Sequence, residues 1–257
     1  MQFDVVIVGS GIAGLFTALR CSQRGFSVLV VTKSRIKSSS TNWAQGGIAA
    51  VLDPSDDEAI EAHVQDTLSS GKGLCDEAIV RSVVEEAAHR ISDLVSFGVG
   101  FDGDSQGYHN AIEGGHSTPR ILHSKDRTGA EIEQALEMAA TSVGSTTLKI
   151  NEDWMAVDLI QTDHGTPSSG VSGIWCLKPD GSVVKIQAKS VILATGGCGM
   201  LYNSTTNPAV STGDGVAMAH RCGADITDME FIQFHPTSLH GVQRPFLITE
   251  AMRGHGA

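Results

Sequence analysis

Three stretches carry residue types that could do chemistry. The first is Gly9-Ser10-Gly11-Ile12-Ala13-Gly14, directly after the apolar run Val5-Val6-Ile7-Val8. Glycines spaced Gly-x-Gly-x-x-Gly between a strand and a helix let the backbone come close to a pyrophosphate. The free N–H groups and the dipole of the helix receive its charge. The motif alone is weak, but here it stands in the strand–turn–helix context that it requires. The second stretch runs from Lys37 through Ser38-Ser39-Ser40-Thr41-Asn42-Trp43-Ala44-Gln45-Gly46-Gly47. Its hydroxyls, amides and paired glycines can supply many hydrogen bonds to a cofactor. The third spans Glu113-Gly114-Gly115-His116-Ser117-Thr118-Pro119-Arg120, then His123, Asp126 and Arg127. Its histidines raise a metal site as the alternative. No pair has His-x-x-x-His spacing, and Arg120 and Arg127 among them suit anions better than cations.

The elements that must position these residues follow from periodicity. Strands are predicted at about 4–9 and 27–32 with a helix at about 13–24 between them, a βαβ unit. The second strand ends in Thr32-Lys33-Ser34, without the acid that holds a ribose in NAD enzymes. Lys33 stands either near phosphate or ribose, or on a solvated surface. Trp43 and the apolar Ile48-Ala49-Ala50-Val51 predict a packed segment after the polar loop. Helices are predicted over 57–70 and 76–97, the second capped by Asp76 and stopped by Gly98. Ala78, Ile79, Val83, Ala87, Ile91, Leu94 and Val95 are its predicted core face. A further helix is expected over 128–141, and residues 147–189 read as a small antiparallel meander inserted after a third core strand. Val191-Ile192-Leu193-Ala194-Thr195-Gly196-Gly197 reads as a separate buried strand running into a Gly-rich turn.

Composition sets the limits. The chain has 257 residues, 41% hydrophobic and 18% charged, as in globular proteins of one or two domains. A net charge of −11 argues against nucleic acid as partner. Five scattered cysteines form no Cys-x-x-Cys pair, which fits a reducing cytoplasm and neither zinc nor an iron–sulfur cluster. No basic, apolar leader is read at the start, and no apolar run reaches the roughly 18 residues of a membrane span. The expectation is a cytoplasmic protein away from membranes.

Several motifs together resemble the succinate dehydrogenase and fumarate reductase flavoprotein superfamily. They are Gly9 to Gly14, Ala194-Thr195-Gly196-Gly197, Thr206-Asn207-Pro208 and Thr212-Gly213-Asp214-Gly215. Ala44-Gln45-Gly46-Gly47, Glu113-Gly114-Gly115-His116-Ser117 and Gln233-Phe234-His235-Pro236-Thr237 point within it to the L-aspartate oxidases. The resemblance implies an α/β fold, a glutathione-reductase-type, Rossmann-like FAD-binding domain with an inserted antiparallel β-meander. It assigns residues 1–238 to that domain without its last strand, and 239–257 to the start of an α+β capping domain. Implied cofactor residues are Gly9, Ser10, Gly11, Ile12, Ala13, Gly14, Lys33, Thr195, Gly196 and Asp214, with Met155 and Ala156 at the adenine. They include the run Ser40, Thr41, Asn42, Trp43, Ala44, Gln45, Gly46 and Gly47. Ser or Thr replaces the ribose acid in the family, so Thr32 fits.

The same resemblance implies oxidation of L-aspartate to iminoaspartate, with oxygen or fumarate accepting the electrons. That is the first step of quinolinate and NAD synthesis, with a possible transient contact with quinolinate synthase. Succinate dehydrogenases carry a flavin-linked histidine where this chain has Ser40, so FAD is expected to be held non-covalently. Succinate-type enzymes lack an acid at Glu113. A carboxylate there can pair with the ammonium of aspartate and would repel a plain dicarboxylate. His235, Gln233, Thr249 and Glu250 match substrate-site positions, and His116, Ser117 and Arg120 lie in a loop expected near flavin and substrate. Ile112 departs from the family's usual Arg, and Arg253-Gly254-His255-Gly256 from its Arg-Gly-Glu-Gly. The family places its proton-transfer arginine and further substrate residues beyond position 257. The chain is therefore expected to be the N-terminal part of an enzyme, with a fumarate reductase or succinate dehydrogenase-type flavoprotein and a flavin-binding fragment inactive on its own as the alternatives.

Overall fold

The apolar runs become strands of one mixed sheet. The computed structural model describes residues 1–144, 146–235, 238–239, 241 and 246–248. In chain order, β1 (Gln2–Val8), α1 (Ile12–Gln23) and β2 (Val28–Val31) form the opening βαβ unit. β3 (Ile48–Ala49), α2 (Asp57–Gly71), α3 (Glu77–Ser96), β4 (Gly103–Asp104), β5 (Gly107–Tyr108) and β6 (Ile121–Leu122) follow. Next come α4 (Thr128–Ser142), β7 (Leu148–Asn151), β8 (Met155–Gln161), β9 (Val171–Leu177), β10 (Val183–Leu193) and α5 (Asp214–Arg221). The short β11 (Ser238–Leu239) and β12 (Phe246–Leu247) pair with each other. Two compact units result. One joins residues 1–43 to 133–248, and the described part of the other is 44–132.

The first unit holds the six-stranded sheet, in the order β7-β2-β1-β10-β9-β8. β7, β2, β1 and the end of β10 run parallel. β8, β9 and the start of β10 run antiparallel. Val6, Val8, Leu29 and Val31 share one core with Ile174, Ile186, Ala188 and Met218. Side chains alternate along a strand, so Val5, Ile7, Val28 and Val30 face the other way, and α1 packs against β1 and β2. Each such aliphatic side chain contributes roughly 1.5–3 kcal/mol on burial.

The sequence reading split residues 183–193 into a meander strand and a later core strand. They are one strand of 11 residues. Val183 to Gln187 pair antiparallel with β9, and Ser190 to Leu193 pair parallel with β1. The meander and the parallel strands thus belong to one sheet. Polar Lys185, Gln187 and Lys189 alternate with core residues along this strand, which made its first half look like the edge of a separate sheet.

In the second unit, α2 and α3 begin on aspartates. Asp56 accepts from the N–H of Ala59 at 3.0 Å. Asp76 accepts from Ala78 and Ile79 at 2.9 and 3.2 Å. Gly98, at φ +100°, follows the end of α3. The predicted core face of α3 holds at Ile91 and Leu94 and fails at Ile79, Val83 and Val95. Val84, Ile91 and Leu94 are buried, whereas Ile79 and Val83 are 63% and 66% exposed and Val95 is exposed too. Adjacent pairs Ile79-Val80 and Val83-Val84 allow two stripes at equal helical spacing. Ile60 and Val64 of α2, with Val51, pack on Val80 and Val84 and decide between them. Ala50 and Val51 are buried as the sequence predicts, but Trp43 is 42% exposed.

Leu94→Ala should cost about 2–5 kcal/mol in urea unfolding of the chain. Ile79→Ala should change stability by less than about 0.5 kcal/mol. The opposite ranking would contradict this placement of α3.

Candidate functional site

The turn after β1 is built by backbone contact. Gly9 has φ +112°, and a Cβ there would stand 2.1 Å from the carbonyl oxygen of Ala194. A Cβ on Gly14 would stand 2.0 Å from the carbonyl oxygen of Gly9. Only glycine permits this three-way approach of β1, α1 and the end of β10. Gly14 is therefore buried between strand and helix, while Gly9, Ser10, Gly11, Ile12 and Ala13 line a cavity of about 340 Å³. That volume is in the range of small-molecule sites, roughly 300–1,000 Å³.

The strand ends bring the other walls. Ser38 to Thr41 face the turn, and Lys33 follows β2. Trp154, Met155 and Ala156 come from the start of β8 and the turn before it, and Thr195 and Gly196 follow β10. Val210, Ser211 and Asp214 precede or open α5. The Ile12 N–H donates to Thr41 Oγ1 at 3.0 Å. Ser40 Oγ lies 3.2 Å from Ser211 Oγ. Ser10 Oγ donates to the buried Thr32 Oγ1 at 3.0 Å, which ties the turn to the end of β2. Asn42 and Trp43 form the rest of a short 3-10 turn, Thr41–Trp43, and are not among the lining residues.

Lys33 is not a loose surface cation. Its ammonium pairs with Asp214 and donates to Thr212 Oγ1 at 2.5 Å. Burial would raise the Asp214 carboxyl, but the hydrogen bonds from Lys33 and Thr212 and the Lys33 charge hold it below the usual range. Ser211 and Trp154 joined the site only in three dimensions.

The second unit gathers other predicted residues. Gln45, Gly46 and Gly47 lead into β3, and Glu113 Oε1 is 3.9 Å from where a Gly46 side chain would begin. Gly47 has a packing role, since a Cβ there would lie 2.3 Å from the carbonyl oxygen of Leu122 in β6. The amide of Gly129, in the first turn of α4, donates to the carbonyl of Ala44 at 3.0 Å. Arg120 is 3% exposed and donates to Asp66 at 2.6 Å and to Thr118 Oγ1 at 2.6 Å. The Asp66 carboxyl is held well below the usual range, first by Arg120 and then by the Ser117 N–H. His116 Nδ1 lies 3.0 Å from the same guanidinium. Arg120 is thus engaged by Asp66 of α2 and by Thr118 of its own loop. Burial, then the charges of Arg120 and His116, push His63 down.

Gln233 is exposed and His235 half-buried in an irregular segment after α5, and neither lines the cavity. Thr249 and Glu250 lie outside the described residues. Among the described residues, no three metal-ligating side chains converge, and no helix is long and apolar enough to cross a membrane. All five cysteines are free thiols.

The profile of the family described as FAD binding domain matches residues 4–257. The chain belongs to this family. FAD is therefore its cofactor, and the cavity fits that group. The N-terminus of α1 has no side-chain cap at Gly11 and no acid in its first turn, so it can take a diphosphate. The glycine cradle would be filled by any side chain at Gly9. Among curated relatives, this FAD binding domain is 45% identical to the chloroplastic L-aspartate oxidase of Oryza sativa subsp. japonica, over 99% of the chain and 40% of that protein. It is 44% identical to the L-aspartate oxidase of Streptomyces coelicolor, over 99% of the chain and 44% of that protein. The E. coli quinol fumarate reductase FrdA has a similar structure, with a TM-score of 0.90 and 31% identity over 100% of this chain and 43% of that one. The chain thus spans less than half the length of these relatives.

Asp214 in the folded chain titrates below its ordinary value of 3.8. Its pairing with Lys33 therefore stabilises the fold above that pH and loses its effect as the pH falls through the folded value. Asp214→Asn should flatten this acid limb in urea titrations from neutral pH downward. An unchanged limb would show that the pair carries no such stability.

Proposed function

We propose that this chain is the FAD-binding part of an L-aspartate oxidase, which converts L-aspartate to iminoaspartate at the start of quinolinate and NAD synthesis. Similarity to L-aspartate oxidases along nearly the whole chain supports this reading most strongly. Gly9, Ser10, Gly11, Ile12 and Ala13 would receive the diphosphate, with Met155 and Ala156 at the adenine. Lys33, Asp214, Thr195 and Gly196 would complete that cradle, and Ser40 to Gly47 would hold the remaining cofactor groups. Bound FAD supplies the redox chemistry by accepting hydride from the substrate.

The chain's own residues bind and orient. Glu113 pairs with the substrate ammonium, which succinate lacks, and repels a bare dicarboxylate. Two substrate carboxylates must each meet a cation or strong donors, since burying a charge unpaired costs several kcal/mol. His235 and Thr249 meet one of them, and Glu250 and Gln233 give polar support. Ser40 offers no nucleophilic nitrogen, so FAD is held without a covalent link. Oxygen or fumarate takes the electrons. The imine product hydrolyses in water, which favours a transient encounter with quinolinate synthase in the cytoplasm. The structural likeness to fumarate reductase favours a dicarboxylate-reducing enzyme as a second reading, and Glu113 opposes it.

Anaerobic L-aspartate should bleach the flavin absorbance of the FAD-loaded enzyme of which this chain is the FAD-binding part, and succinate should not. Bleaching by succinate alone would move the assignment to the second reading. Glu113→Gln removes a charge-assisted contact and should weaken L-aspartate binding about 10- to 100-fold, read from the same titration. Acid precipitation should release all yellow colour into the supernatant, and colour retained in the pellet would contradict non-covalent binding.

A further inference from the structure

Glu133, on α4, is fully buried. Its Oε2 accepts from Ser39 Oγ at 2.7 Å, and its Oε1 has no hydrogen-bond partner among the described residues. A buried carboxylate with one oxygen unsatisfied is a costly arrangement that a neutral acid relieves. Ser39 is part of the cavity wall. Its Cβ and Oγ lie 3.6 and 3.8 Å from where a Gly11 side chain would begin, so it stands against the Gly-x-Gly turn. The same hydroxyl accepts the Asn42 N–H at 3.3 Å, and the next-but-one residue, Thr41, takes the Ile12 N–H. One carboxyl thus anchors the loop that lies across the N-terminus of α1.

We propose that Glu133 is a positioning residue for the FAD diphosphate, holding the 38–43 loop through Ser39, and that the diphosphate binds with Glu133 protonated. The inference rests on the FAD-binding assignment and not on the identity of the substrate. Two negative charges arriving beside the turn favour the neutral acid over the carboxylate. Among the described residues the charged group acting on Glu133 is Glu137, one turn along α4, which itself pairs with Lys37 at 3.3 Å. Burial first, and the Glu137 charge after it, push the Glu133 carboxyl up to about 7 against the Ser39 hydrogen bond. FAD binding near neutral pH therefore takes up a proton. Among the described residues the cavity is lined by two ionisable side chains, Lys33 and Asp214, and neither is of a type that titrates near neutrality. The diphosphate and flavin of FAD do not titrate there either.

The test is FAD binding to the apo chain, followed by flavin fluorescence from about pH 6 to about pH 8.5, with calorimetry in two buffers of different ionisation enthalpy. Affinity should fall above pH ~7, by up to about tenfold per pH unit, with net proton uptake on binding. Glu133→Gln mimics the neutral acid and should bind at the low-pH affinity with the pH dependence removed. Riboflavin, which has no diphosphate, should show no such dependence with the unaltered chain. A flat profile without proton uptake, while FAD still binds, would overturn the proposal and leave the FAD assignment intact. A Glu133→Gln chain that keeps the full pH dependence would overturn it as well. Should that variant not fold, proton uptake by the unaltered chain decides the matter. No FAD binding at any pH would be a failure of the cofactor assignment itself.

Discussion

The contact on which the rest depends is backbone against backbone. The end of β1, the start of α1 and the end of β10 meet at Gly9, Gly14 and Ala194, with no side chain between them. This approach lets a helix N-terminus open directly over the carboxyl ends of parallel strands. It also leaves the cavity bounded by main chain and short hydroxyl side chains. A side chain larger than hydrogen at Gly9 or Gly14 would move the helix off the sheet, and the walls built by the following segments would have nothing to close against. In open α/β sheets the crevice at these strand ends is where ligands bind, for this geometric reason.

Charge is handled differently in the two units. Among the described residues the cavity of the first is lined by one cation, Lys33, and Asp214 already engages it. A diphosphate there must be met by N–H groups, hydroxyls and the helix dipole, which act without bringing a counter-charge of their own. The second unit buries Arg120 and balances it with Asp66 of α2. Glu113 is the acid that remains near the paired glycines of its loop. A buried cation paired for structure and an acid beside a glycine turn have different consequences. Residue type alone does not separate them.

The site depends on segments far apart in the chain, each delivered by a regular element. Met155 and Ala156 open β8, Thr195 follows β10, and Asp214 opens α5. β10 joins the parallel and antiparallel parts of the sheet, so the wall at the start of β8 is tied through β9 to the strand that carries Ala194 and Thr195 to the turn. Fold and cavity are therefore one mechanical object rather than a scaffold with a site added.

Taken alone, the sequence determined what depends on neighbours along the chain. Strand–turn–helix spacing around Gly9 to Gly14, the aspartate caps of α2 and α3, and the glycine stop after α3 are all local, and local sterics and hydrogen bonds suffice for them. The stretch after β2 likewise excluded an ordinary ribose acid. Tertiary structure decided what depends on partners distant in sequence. It chose Val80 and Val84 over Ile79 and Val83, because α2 packs on one stripe and not the other. It joined two apparent strands into β10, because each half finds a different neighbour. It turned Arg120 inward, and it set Glu133 behind Ser39, since burial and charge pairing are properties of the folded neighbourhood and not of any one residue.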